Sequence, residues 1–125
     1  MVEPVILVVD DEPSVRGVAK RFLERSGYQA LEADSGEEAL RVLRHQPCAI
    51  ALLLTDIIMP GLSGTELAAE ARKIQPTLPV VFMSGYCSTF VESLDGYHCV
   101  QKPFKPQELV SLVAEALTVK VKTAH

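Results

Sequence analysis

The 125-residue sequence predicts an α/β fold, a doubly wound sheet of five parallel strands alternating with five helices. Three observations carry that expectation. Short, wholly apolar runs such as Val5 to Val9 and Ala49 to Leu54 have the pattern of strands buried on both faces. Between them, apolar residues recur at helical spacing. Gly and Pro punctuate the junctions regularly, and so many alternating elements in so short a chain imply helices on both faces of one parallel sheet.

The elements follow in order. After the strand Val5 to Val9, Pro13 suits the first turn of a helix, along which Val15, Val18, Ala19, Phe22 and Leu23 form a stripe that Gly27 closes. Tyr28 to Ala33 is a weaker strand. Ser35, with Glu38 three residues on, has the pattern of a capping box for a second helix carrying Ala39, Leu40 and Leu43, which ends before Pro47. The central strand, Ala49 to Leu54, leads into a loop from Asp56 to Gly61. Ser63 and Glu66 repeat the capping pattern ahead of a third helix bearing Leu67, Ala71 and Ile74. A fourth strand is expected over Val80 to Met83, a short helix around Thr89 to Leu94, and a fifth strand over Tyr97 to Val100. After Pro103 and Pro106, Leu109, Leu112, Val113, Ala116 and Leu117 mark the last helix.

Composition narrows the function. A 48 % hydrophobic content is enough for a proper core in one domain, expected over residues 1–125 with its core at about 4–118. A net charge of −4 without a Lys/Arg run leaves no basic face for direct nucleic-acid binding. The longest apolar run, Cys48 to Leu54, is far short of the ~20 residues of a membrane helix. The start, Met1-Val2-Glu3-Pro4, does not resemble a signal peptide, so a soluble cytoplasmic protein is expected. Cys48, Cys87 and Cys99 lack CxxC spacing and are expected to be buried free thiols in a reducing compartment, in preference to a disulfide or a metal site. His45, His98 and His125 are scattered and read as surface or terminal residues.

In an open parallel sheet, ligands bind beyond the carboxyl ends of the strands, near the switch in strand order. Asp10-Asp11 follow the first strand, Asp56 the third, Ser84 the fourth, and Lys102 the fifth. Each alone is an ordinary loop or cap residue; together they put three carboxylates, a hydroxyl and an ammonium on one edge. Two carboxylates about 4 Å apart repel by ~4 kcal/mol at an effective dielectric of 20, so the cluster calls for a cation. Oxygen ligands suit Mg²⁺, and a carboxylate beside a lysine and a hydroxyl suits phosphoryl transfer, which depends on positioning and charge neutralisation. No Gly-rich phosphate cradle follows the first strand, which argues against a Rossmann-type enzyme or a flavodoxin.

Over about residues 4 to 118 the chain resembles the receiver domains of bacterial two-component response regulators. Val8-Val9-Asp10-Asp11-Glu12 resembles their acidic pair, Leu54-Thr55-Asp56-Ile57-Ile58-Met59-Pro60-Gly61 their phosphoacceptor segment, and Lys102-Pro103-Phe104 their lysine-proline-aromatic signature. The resemblance implies a flavodoxin-like sheet of order 2-1-3-4-5. It implies that Asp56 is phosphorylated by a phosphohistidine on a histidine kinase or histidine phosphotransfer domain. Asp11, Asp56 and the Ile58 carbonyl would ligate Mg²⁺, with Asp10 acting largely through water, while Ser84 and Lys102 would hold the phosphoryl group. It implies a cis Lys102-Pro103 bond, a monomer or weak homodimer, and a signalling domain that catalyses only its own phosphorylation and dephosphorylation. Either a single-domain regulator or a receiver of a larger protein is expected, and Val100-Gln101-Lys102-Pro103-Phe104, with Ser84-Gly85-Tyr86, looks more like receivers fused to hybrid histidine kinases.

The departures concern output. Cys99 stands where the family often has an aromatic reporter three residues before the lysine, and Tyr97, on the same strand face, either substitutes for it or simply packs. The segment from Ser84 to Lys102 is shorter than in the best-known members. Ile58 and Tyr86 occupy positions where the family varies access of attacking water; both are bulky, which implies a long-lived aspartyl phosphate. Two rivals stand beside this reading. An interaction-only pseudo-receiver is expected to lack the acidic pair or the lysine. A haloacid-dehalogenase-type phosphatase needs a second Asp where Ile58 stands.

Overall fold

A computed structural model describes residues 3–46, 49–87 and 98–118. Its strands are β1 (Val5–Val9), β2 (Gln29–Ala33), β3 (Leu52–Asp56), β4 (Val80–Ser84) and β5 (His98–Gln101). They form one sheet of order β2-β1-β3-β4-β5 with every neighbouring pair parallel, the expected flavodoxin-like order 2-1-3-4-5. The described helices are α1 (Pro13–Arg25), α2 (Gly36–His45), α3 (Gly64–Ile74) and α4 (Pro106–Thr118). The helix expected around Thr89 to Leu94, and Tyr97, lie outside the described residues.

Strand periodicity explains the two cores. Alternate side chains point to opposite faces, so Leu7, Val9, Leu53, Val80 and Phe82 join Leu40 and Leu43 of α2 and Leu67 and Ala71 of α3. Ile6, Val8, Leu52, Leu54, Val81 and Met83 meet Ala19 and Leu23 of α1 and Leu109 and Val113 of α4. Each fully buried Leu, Ile or Phe contributes roughly 1.5–3 kcal/mol, which makes apolar residues at successive positions of one strand useful on both sides.

Local signals hold with one variation. Ser63 and Glu66 close a reciprocal capping box on α3. Ser35 accepts the Glu38 N–H, but the Glu38 carboxylate takes the N–H of Asp34 rather than closing on Ser35. Gly27, past the end of α1, has φ +93°, a conformation that glycine adopts without a Cβ clash.

Two expectations need correction. The central strand begins at Leu52, not Ala49, and includes Asp56, because its ladder pairs Ile6 with Leu52 and runs on to pair Asp56 with Met83. Cys87 and Cys99 are not free thiols but form a disulfide. The backbone after β4 returns beside β5 and brings their Cα atoms to 5.8 Å, within bridging range. Cys48 and His125 lie outside the described residues. His45 is exposed at the end of α2 and His98 is half-buried at the start of β5.

Candidate functional site at the carboxyl edge of the sheet

The chain turns back from β2 to cross β1 and build outward through β3, so the switch in strand order falls between β1 and β3. Backbone hydrogen bonds carry the ladders past the last paired residues. Asp10 N–H donates to the Ala33 carbonyl, Ile57 N–H to Met83 and Lys102 N–H to Ser84. Asp10, Asp56, Ser84 and Lys102 are thus held by the sheet's own hydrogen bonding.

The structure brings Asp10, Asp11, Asp56 and Lys102 together. Asp10 is fully buried, with Oδ1 accepting the Glu12 N–H at 2.9 Å and Oδ2 2.9 Å from Lys102 Nζ. The same Nζ lies 3.3 Å from Asp56 Oδ2. One carboxylate oxygen from each of Asp10, Asp11 and Asp56 falls within 4.8 Å of the other two, and Asp11 is the exposed member of the three. Ser84 is buried, and its Oγ accepts the Tyr86 N–H at 2.9 Å. Ile58 lies two residues past Asp56 with its side chain 61 % exposed. The Lys102-Pro103 peptide is cis.

The electrostatics explain why the cluster is under tension. Burial pushes the Asp56 carboxyl above its ordinary range; Lys102 pulls it back, and the charge of Asp10 pushes it up again. Burial alone would lower the Lys102 pKa, but the hydrogen bond and charge of Asp10, with the charge of Asp56, more than reverse this and leave it raised. Three carboxylates against one ammonium leave an excess of negative charge. An all-oxygen, partly exposed donor set with that excess fits a small divalent cation that keeps part of its water shell, as Mg²⁺ does. Among the described residues, no His or Cys joins that donor set.

Three positioning residues escaped the sequence reading. Arg16, one turn into α1, donates from Nη1 to the Asp10 carbonyl at 2.7 Å and pairs through Nε with Glu32 at 3.0 Å, which pins the acidic loop to β2. Gly64 opens α3 so close to the backbone of Asp56 that a Cβ would overlap the Asp56 carbonyl oxygen. Gln101 donates from Nε2 to the Gly85 carbonyl at 2.6 Å and accepts the Cys87 N–H at 3.2 Å, tying the loop after Ser84 to β5. Spacing gave no sign of these roles, which depend on parallel register.

Beside Lys102, a shallow recess is lined by Ser14, Val15 and Val18 of α1 and by Lys102, Pro103 and Phe104. Phe104 also makes an edge-to-face contact with Phe22, centroids 6.2 Å apart. No described helix is long and apolar enough to cross a membrane.

Comparison with known proteins agrees with this architecture. The family model described as the response regulator receiver domain matches residues 6–114. The response regulator receiver protein CpdR of Brucella abortus is 32 % identical over 90 % of the chain and 95 % of its own length. The sensor kinase CckA of the same organism is 34 % identical over 90 % of the chain, which spans only 12 % of that larger protein. The crystal structure of the receiver domain from the hybrid histidine kinase CckA superposes with a TM-score of 0.80 at 40 % identity, covering 91 % of this chain and 99 % of that one.

Proposed function

The chain belongs to the response regulator receiver domains of two-component systems, and from that membership we propose that Asp56 accepts a phosphoryl group from a phosphohistidine and so switches the domain's conformation. The observation that carries this reading is Lys102 Nζ, shared at 2.9 Å by buried Asp10 and at 3.3 Å by Asp56. A carboxylate raised by burial, beside a fixed ammonium, is a nucleophile held where anionic charge is to be received.

In this reading an Asp56 oxygen attacks phosphorus in line with the P–N bond. The P–O bond forms as the P–N bond breaks, and the imidazole leaves with the electron pair. Lys102 pairs with a phosphoryl oxygen, and Ser84 exchanges its bond from Tyr86 N–H for one donated to another oxygen. Asp10 fixes Lys102 throughout. Asp11, Asp56 and the Ile58 carbonyl would hold Mg²⁺, with Asp10 acting through water, and the ion would supply positive charge against the phosphoryl group. The recess between α1 and Phe104 offers an apolar seat beside Lys102 for a helix of the histidine kinase or phosphotransfer partner.

The sequence signature and the likeness to the CckA receiver support a hybrid histidine kinase as the parent context. Incubation with acetyl phosphate or phosphoramidate and Mg²⁺ tests the core of the proposal. The expected result is a mass gain of one phosphoryl group, abolished by EDTA and by Asp56→Asn. No gain with either donor would point instead to a phosphorylation-independent interaction domain, and rapid multiple turnover to a phosphatase.

A further inference from the structure

The disulfide lies in a telling place. Cys87 is three residues past Ser84, and its Sγ sits 3.7 Å from the Ser84 carbonyl oxygen. Cys99 pairs in register with Phe82, and three residues later Lys102 N–H donates to that same Ser84 carbonyl at 2.8 Å. Gln101, between them, holds Gly85 and Cys87 through both ends of its amide. Bridge, amide clamp and ladder therefore converge on the short loop behind Ser84, and of the three only the bridge is covalent and reversible by redox chemistry.

The fold does not depend on such a staple. Small domains become disulfide-dense when they cannot build a sufficient core, whereas here both faces of the sheet are covered by continuous apolar clusters. Both cysteines are half-buried rather than sealed.

We propose that Cys87 and Cys99 form a reversible thiol–disulfide switch that, when oxidised, clasps the Ser84 loop to β5 and restrains the movement of Ser84 toward Asp56. The consequence for signalling rests on the phosphoacceptor reading; the clasp itself does not. Oxidation proceeds by exchange with a low-molecular-weight disulfide such as oxidised glutathione. One cysteine thiolate attacks it, forming a mixed disulfide and releasing one thiol. The second cysteine thiolate then attacks the protein-borne sulfur and releases the other. Two electrons pass to the small disulfide, and the two cysteine protons end on the two released thiols.

The test uses the full chain carrying Cys48→Ser, equilibrated in glutathione buffers from fully reduced to fully oxidised. Free thiols are then trapped with N-ethylmaleimide, followed by intact mass and by hydrogen exchange at Tyr86 and Cys87. The expected result is a passage from two adducts to none as the buffer is oxidised, with both amides exchanging about tenfold or more slowly in the bridged form. Cys99→Ser is expected to exchange at the fast rate in every buffer, and reduced protein with both cysteines gives the same comparison if that variant does not fold. Two adducts at every ratio, or equal exchange in bridged and reduced protein, would overturn the proposal. Neither readout requires phosphate transfer, so a failure of Asp56 to take phosphate is seen separately.

Discussion

Lys102 and Asp10 form an ion pair of 2.9 Å in which the carboxylate is wholly buried and the lysine largely so. Removing the ammonium leaves a buried charge that keeps the Glu12 N–H but loses its counter-ion. Breaking such a pair by deleting one partner typically costs about 3 kcal/mol or more. Lys102→Met is therefore expected to lower unfolding free energy by roughly that amount in urea titrations, and to slow phosphorylation by acetyl phosphate ~100-fold or more. The Lys102 pKa is raised above its ordinary 10.5. The pair's contribution is thus fully present below that value and lost as pH rises through the folded one. The stability gap between wild type and Lys102→Met should close at strongly alkaline pH, and a gap that stays constant there would count against the pairing.

Asp56 carries the opposite sign. Its folded pKa is raised above the ordinary 3.8, chiefly by burial, so the folded state holds its proton more tightly than the unfolded chain does. Stability is unaffected below about pH 4, falls as pH climbs through the folded value, and stays reduced above it. Asp56→Asn cannot ionise and is expected to melt higher than wild type at neutral pH in metal-free buffer, with the difference vanishing near pH 4. Mg²⁺ should raise the melting temperature of wild type and leave Asp56→Asn nearly unmoved. A variant that melts lower than wild type at pH 7 without metal would refute the assignment of burial as the dominant influence.

Gly64 and Gly17 make a controlled pair. A Cβ at Gly64 overlaps the Asp56 carbonyl, whereas one at Gly17, inside α1, meets nothing within 4 Å. Gly64→Ala is expected to destabilise by about 1–3 kcal/mol, as overpacking does, and to slow phosphorylation by shifting Asp56. Gly17→Ala is expected to stabilise by roughly 0.5–1 kcal/mol, since alanine in a helix interior loses less backbone entropy. Equal effects in thermal melts would show that α3 yields at its first turn.

How much of this was legible in the sequence depended on whether the signal was local. The strands and the gathering of Asp10, Asp11, Asp56 and Lys102 at one edge were readable, because apolar runs mark strands and these residues follow three of them, whereas the strand order was implied by the family resemblance. The start of β3 was not. Ala49 to Leu54 is uniformly apolar, so hydrophobicity alone cannot say where pairing with Ile6 begins, and the charge of Asp56 disguised it as loop although it closes the ladder with Met83. The Cys87–Cys99 bridge was hidden for a related reason. Twelve residues of separation carry no motif, and the pair meets because the backbone returns beside β5 after leaving β4. Arg16 and Gly64 act on backbone carbonyls, which leave no mark in side-chain patterns.

Under the proposed function, the lifetime of an aspartyl phosphate depends on the two exposed side chains that follow Asp56 and Ser84 by two residues. Ile58, two residues past Asp56, is 61 % exposed, and Tyr86, two residues past Ser84, is 64 % exposed. Hydrolysis of an aspartyl phosphate needs a water placed in line with the Asp56 oxygen, and neither residue offers a carboxylate to orient one or take its proton. Positioned general bases contribute ~10²–10⁴-fold where they act, a contribution that neither Ile58 nor Tyr86 can make. With Mg²⁺ present, wild-type phosphoprotein followed by intact mass is expected to decay over many minutes to hours. Ile58→Glu places a carboxylate beside the path of the water and should shorten the half-life about tenfold or more. Ile58→Leu, bulky and apolar, should leave it nearly unchanged. A wild-type half-life of seconds would mean that water reaches the phosphoryl group past both side chains.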